Sequence, residues 1–236
     1  MSAPPPPPAD DELRSAIESA WQSVEAIERA YEQGALSRAD WHARMAALVV
    51  PAYSAAPTPE AQSGFEGDAG AWERARRLVA DAVDRPGRFL DIGCANGHLL
   101  QYVQAWCAER GLRLEVHGLE IAPALHALAR ARLPHLAPHI HLGNAATWTP
   151  PTPYEHVRTG LEYVPRSERR ALLEHLLTHT VAPGGQLLLG PYSHPHAEPD
   201  PLLTQLSAWN LAPERTLTRP HHSHPQLQRH VQVLRR

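Results

Sequence analysis

Cysteine is scarce in this chain. The two present, Cys94 and Cys107, do not make a disulfide scaffold, and one lies in a glycine turn, so a reducing cytoplasm is the expected compartment. Long apolar runs are missing as well. None approaches membrane-spanning length, so no membrane partner is expected. The opening MSAPPPPPADDE lacks the apolar core of a signal peptide. No charge sign dominates. A formal net charge of −3 gives no global basic field to draw the chain to nucleic acid, and DNA is not an expected partner. No Gly-Lys-Ser/Thr occurs, which excludes a phosphate-binding P-loop. What remains is 236 residues of ordinary globular composition, enough for one α/β domain with an appendage.

The most informative stretch is Phe89 to Leu100, FLDIGCANGHLL. It reads as a buried strand (Phe89, Leu90, Ile92) with Asp91 at its end. A glycine turn follows from Gly93 to Gly97, then a helix opening on Leu99 and Leu100. Glycines let backbone approach a ligand closely, and a helix N-terminus points unpaired N–H groups at it. A dinucleotide fingerprint would need glycine where Ala95 stands, and its third glycine falls at His98. The pattern left is D-x-G-x-x-x-G.

Around this motif the chain alternates. Residues 1–9 are proline-rich and expected to be disordered. Leu13, Ile17, Trp21, Val24, Ile27 and Tyr31 recur at helical spacing up to a stop at Gly34. Ser37 and Asp40 form a capping box for a second helix carrying Trp41, Met45 and Leu48, ended by Pro51. Two such helices cannot bury their stripes alone. A helical hairpin over 10–50 must pack on the main domain, over a substrate, or on a second copy as a homodimer. Residues 51–67 read as a linker, within which Gln62 to Phe65 could reach over a ligand. From Asp68, helices alternate with strands at 113–121, 139–144, 155–161 and 186–189, with Ser167 capping one helix. Two final strands, near 215–218 and 229–234, have no helix between them. This predicts a mainly parallel sheet covered on both faces, with an antiparallel C-terminal hairpin.

The glycine pattern resembles motif I of class I S-adenosylmethionine-dependent methyltransferases. Pro183-Gly184-Gly185 before the fifth strand resembles the same family's turn. The resemblance runs from about residue 68 to the C-terminus. It implies a Rossmann-like three-layer fold with a seven-stranded sheet, S-adenosylmethionine as cofactor and S-adenosylhomocysteine as product. It also implies a cofactor site of Asp91, Gly93, Cys94, Ala95, Asn96 and Gly97, then Glu120 with Ile121, Asn144 with Ala145, and Thr159 with Leu161. Glu120 stands just over twenty residues past Gly97, the spacing for an acid that accepts ribose hydroxyls. Asn144 departs from the family's usual aspartate but can still accept through its carbonyl oxygen. The Asn/Asp-Pro-Pro-aromatic motif of nucleic-acid amino methyltransferases is missing after the fourth strand, which argues against base methylation.

The resemblance implies in-line methyl transfer to a small-molecule acceptor. A protein or RNA acceptor is the alternative, as is non-catalytic binding of the cofactor. Because the cofactor is already activated, the protein mainly orients and desolvates, and alignment alone contributes on the order of 7–11 kcal/mol. An oxygen nucleophile would need a base, for which Glu162, Tyr163, His194 and His196 are candidates. Sixteen histidines invite a metal, yet His221, His222 and His224, or His194 and His196, lack zinc-finger or H-E-x-x-H spacing. A solvated cluster is the reading there, and no metal is expected.

Overall fold

The computed structural model describes residues 10–195 and 198–236, and of residues 10–18 and 20 only the backbone. The proline-rich tail and His196 therefore lie outside the described residues. Helix α1 (Asp10–Glu32) ends where Gly34 takes a left-handed φ of +73°. Helix α2 (Arg38–Ala55) opens on the capping box: Ser37 Oγ accepts the Asp40 N–H at 3.1 Å, and Asp40 accepts the Ser37 N–H at 3.3 Å.

Proline 51 does not end α2. The helix runs through it to Ala55, and a short helix α3 (Pro59–Gln62) follows, so much of the expected linker is helical. A proline inside a helix removes one hydrogen bond and costs about 3 kcal/mol. The last turn of α2 recovers contact through Tyr53, whose ring packs so closely on Gly64 that a Cβ there would collide with its hydroxyl.

Helix α4 (Ala69–Ala82), capped by Asp68 as expected, leads into strand β1 (Gly87–Ile92). Then come α5 (His98–Glu109), β2 (Leu114–Glu120), α6 (Pro123–Arg132), β3 (Ile140–Leu142) and β4 (Tyr154–Thr159). The chain closes with α7 (Arg169–His175), β5 (Val181–Pro195), α8 (Pro201–Ala208), β6 (Arg215–Pro220) and β7 (Leu227–Arg235). Ser167 does not cap α7. It sits in a 3-10 turn, and no side chain caps that helix.

The seven strands form one sheet in the order β3-β2-β1-β4-β5-β7-β6, with β1 to β5 parallel and β7 antiparallel to both neighbours. Strand β1 shows why the sheet is covered on both sides. Phe89 points into a layer with Trp72, Val79 and Leu100, while Leu90 and Ile92 point into the opposite layer with Val157, Leu173 and Leu187. Alternate residues face opposite layers, and both layers are apolar, hence a strand hydrophobic on both faces and interrupted only by Asp91 near its end.

Strand β5 is far longer than the 186–189 core expected. Pro183-Gly184-Gly185 forms a bulge inside it, between the pairs Tyr154↔Val181 and His156↔Gln186, with Gly184 at φ +70°. Its far end pairs with β7, so His194 lies on the strand rather than after it. Among the described residues no helix is long and apolar enough to cross a membrane.

Strand order reverses between β1 and β4. In open parallel sheets that is where a crevice opens beyond the carboxyl ends of the strands. The α1–α2 hairpin closes over this end. Glu168 receives the Tyr31 hydroxyl and Arg38 Nε, Glu25 pairs with Arg166, and Glu28 accepts the Arg166 N–H at 3.2 Å.

Candidate active site

Beneath the hairpin lies a cavity of about 990 Å³. Its floor is the glycine turn and the ends of β1, β2 and β4; its roof includes Trp41, His42, Met45 and Tyr53 of α2. The volume sits at the top of the range for ligand pockets.

The turn is built from left-handed residues: Gly93 at φ +70°, Ala95 at +49° and Gly97 at +73°. Gly97 precedes α5 closely enough to α6 that a Cβ would press on Leu133 at 2.9 Å. Gly93 is tighter still. A Cβ there would meet the Tyr163 ring at 2.3 Å. Gly93→Ala should therefore lose about 1–2 kcal/mol in backbone strain, and displacement of Tyr163 adds to that. A lower Tm and weaker S-adenosylhomocysteine binding by calorimetry are expected. An unchanged Tm and affinity would mean that the ring yields freely.

Glu120 is buried and fixed. Its Oε2 accepts the Ala95 N–H and its Oε1 the Ala122 N–H, both at 2.9 Å, tying the turn to the end of β2. Burial pushes its carboxyl up, against those N–H groups. Each oxygen keeps a lone pair, and the residue lines the cavity. Ile121 beside it is 41% exposed and faces the same space, as does Ala145. A rigid acid next to an open apolar shelf suits a ribose carrying a flat base.

Asn96 works behind the turn. It is fully buried, donates from Nδ2 to Pro59 O at 2.8 Å, and accepts the His98 N–H at 3.0 Å. Of the segment expected to reach over a ligand, Gln62 touches the turn from behind, its Oε1 3.4 Å from Asn96 Nδ2, while Ser63 and Gly64 reach the cavity wall. The Thr159 hydroxyl is buried on Gly160 O and does not line the cavity, whereas Leu161 does. Asn144 spends its carbonyl oxygen on the Ala146 N–H at 3.0 Å, and its amide meets His42 Nε2 at 3.0 Å. Burial lowers the His42 pKa, keeping that ring neutral. Asn144 is therefore the latch for α2. The thiol of Cys94 is buried, which raises its pKa well above the usual range, so no thiolate is available there.

Asp91 is claimed by a residue that the sequence did not single out. Arg158, its direct neighbour on β4, places Nη1 3.1 Å from Asp91 Oδ1 and 3.3 Å from the Tyr163 hydroxyl, and Nε donates to Gly190 O at 2.7 Å. Burial pushes the Asp91 carboxyl up while Arg158 opposes it. An arginine amid the apolar residues of a central strand was the visible signal. Tyr192 was also missed. Its hydroxyl accepts the Leu161 N–H at 2.5 Å and donates to Glu162 at 3.2 Å, fixing that carboxylate at the cavity rim. His194 stacks on His230 with centroids 4.2 Å apart, and its Nε2 lies 3.8 Å from Asp200. Neither of its ring nitrogens has a hydrogen-bond partner among the described residues.

The cavity thus offers a glycine turn, an anchored acid beyond β2 and an apolar shelf. Residues 66–233 match the family described as "Methyltransferase domain". The chain belongs to that methyltransferase family. The domain is a class I, S-adenosylmethionine-dependent methyltransferase, as the glycine pattern implied. The chain is 35% identical over 115 residues to trans-aconitate 2-methyltransferase of Methylobacterium radiotolerans, across 48% of this chain. The match spans 41% of that relative's length. In fold it is similar to a class I S-adenosylmethionine-dependent methyltransferase of Listeria monocytogenes (TM-score 0.52, 14% identity, 85% of this chain and 69% of that one). It is also similar to the [4+2]-cyclase SpnF (TM-score 0.50, 18% identity, 73% and 85%). The residues present fit the family's cofactor: Glu120, Ile121 and Ala145 would face its adenosine, and the turn with Asp91 its amino-acid part.

Proposed function

We propose that this methyltransferase acts on a small acceptor bearing a carboxylate, held under the α1–α2 roof. The observation that carries this reading is Arg76. Its guanidinium lines the cavity from α4, and among the described residues its side chain has neither a hydrogen bond nor an ion pair, only the Phe65 ring 5.8 Å away. Burial, with Arg158 and Arg229 nearby, lowers its pKa to about 10, so it remains charged at neutral pH. Asp91 attracts it only from beyond ion-pair distance and is itself held by Arg158, so the desolvated cation stays costly and a ligand carboxylate would relieve that cost. Arg169, lining the same cavity from the start of α7, directs only its Nε to Leu161 O. The relative's named substrate, trans-aconitate, is a carboxylate anion, which agrees with such a wall.

S-adenosylmethionine supplies an activated methyl group on a sulfonium. The chain's own residues then have three tasks. Arg76 and Arg169 orient the acceptor's anionic end. The α1–α2 roof excludes water and disfavours a macromolecular acceptor. Glu162, held by Tyr192, stands on the rim as a proton acceptor for a hydroxyl or amine, and His194, with Asp200 beside it, lines the same cavity with its ring nitrogens buried.

Incubation of a metabolite extract with isotope-labelled methyl donor, followed by mass spectrometry, should label a small carboxylic acid. For that acceptor Arg76→Gln should raise KM about tenfold or more, the worth of one charge-assisted hydrogen bond. The cofactor's own carboxylate is the competing ligand. If S-adenosylhomocysteine affinity falls instead, while binding of 5′-methylthioadenosine, which lacks the carboxylate, is unchanged, Arg76 serves the cofactor and the proposal fails. Label only in protein or RNA would also refute it.

A further inference from the structure

At the other end of the sheet lies a cluster that methyl transfer does not use. Glu115 and His117 stand two apart on β2, so both side chains leave the same face. His139 and His141 stand two apart at the start of β3, and the parallel register sets Gly118 beside Ile140, hence His117 beside His139. Two short alternations, Glu-x-His and His-x-His, thus meet on one surface. Glu120 and the cavity are at the opposite end of β2, five residues or about 17 Å away.

Three donor atoms converge. His117 Nε2 is 2.7 Å from Glu115 Oε1 and 3.2 Å from His139 Nδ1, and the latter two atoms are 3.9 Å apart. A tetrahedral ion with ligands at about 2.0–2.1 Å separates them by about 3.3–3.4 Å, close to the mean of this triangle. His117 Nε2 carries at most one proton, shared here between two neighbours. A cation at the centre would serve all three atoms together. On the other side of the ring, His117 Nδ1 lies 3.4 Å from His141 Nε2. With His141 Nε2 as the acceptor, that contact would hold the His117 proton on Nδ1 and leave Nε2 free to ligate, the arrangement metal-bound imidazoles ordinarily have. One feature opposes a cation: Arg88 Nε is 3.6 Å from the same Glu115 oxygen. Its guanidinium is tethered to Thr152 O at 2.7 Å and lies over the Tyr154 ring, which limits its claim on Glu115.

We propose that Glu115, His117 and His139 form a binding site for a zinc-class divalent cation, with His141 positioning His117 and solvent completing the shell. Two imidazoles and one carboxylate favour zinc over magnesium or calcium, which prefer all-oxygen sets.

The test uses the full chain after dialysis against a chelator, titrated with zinc chloride and separately with magnesium chloride by calorimetry. One strong zinc event and no magnesium event are expected. Glu115→Ala changes an exposed side chain and His139→Ala a partly exposed one; each should weaken zinc about tenfold or more, and the double variant should abolish the strong event. Cobalt(II) should give intense visible absorption in the wild-type protein and lose it in the double variant. His222→Ala with His224→Ala, altering the separate surface cluster, should leave the strong event intact. No zinc event in the wild-type protein, an unchanged event in the Glu115/His139 double variant, or its loss in the His222/His224 variant overturns the assignment.

Discussion

Arg158→Leu should destabilise this protein by about 3–5 kcal/mol, the usual cost of leaving one partner of a buried ion pair behind. Leucine removes the only cation paired with Asp91 among the described residues, together with the hydrogen bond to Gly190 O. The Asp91 side chain is 2% exposed, so water cannot replace the guanidinium. The pH dependence should carry a signature. Burial already raises the Asp91 pKa above the ordinary carboxylate value, and without Arg158 it rises further. A group with a raised folded-state pKa binds its proton more tightly in the native state, so its stability contribution falls as pH rises. The deficit of Arg158→Leu should therefore be largest above the raised Asp91 pKa and shrink as pH falls through it. Urea denaturation at several pH values measures this. The double variant Arg158→Leu/Asp91→Leu should recover much of the loss, because it removes both charges. A single variant as stable as wild type at neutral pH would show that the pair contributes little.

Glu120→Ala should weaken S-adenosylhomocysteine binding by about 100-fold or more. The carboxylate has two tasks that alanine cannot perform. It holds the backbone N–H groups of Ala95 and Ala122, and it turns its remaining lone pairs to the cavity. Hydrogen bonds to a charged acceptor contribute about 1.5–3 kcal/mol each, and a ribose offers two hydroxyls. Loss of the anchor also frees Ala95, whose left-handed φ of +49° is unusual for a residue with a Cβ. Glu120→Gln separates the two tasks. Its amide oxygen can still accept one N–H, so stability should largely return while affinity stays low. Calorimetry with S-adenosylhomocysteine, alongside thermal melts, reads both. If Glu120→Ala binds normally, the cofactor does not lie against β2.

These two residues also mark how far the sequence could be read. Glu120 was legible because its signal is local: an acid ending an apolar strand, at a fixed distance from a glycine turn. Arg158 was not, because its meaning depends on Asp91, 67 residues earlier, arriving on the adjacent strand. Asn144 divides between the two: its oxygen is taken locally by the Ala146 N–H, while its amide meets His42 of α2, 102 residues earlier. Arg76 carries no local signal either: it is one charge on a helix, and the cavity it lines is closed by segments far away in the chain. Strand β5 outran its expected end because its extension is held by pairing with β7, not by its own apolar run.

By itself the sequence determined the alternation of strands and helices, the glycine turn, the caps of α2 and α4, and the family. Each rests on side-chain period, backbone freedom or short-range hydrogen bonds, which act within a few residues. The tertiary structure alone decided where the hairpin docks, which charges are paired and which cation is left facing the cavity. Those outcomes follow from contacts between segments far apart in the chain, and desolvation gives a charge its energetic weight only after such segments have closed around it.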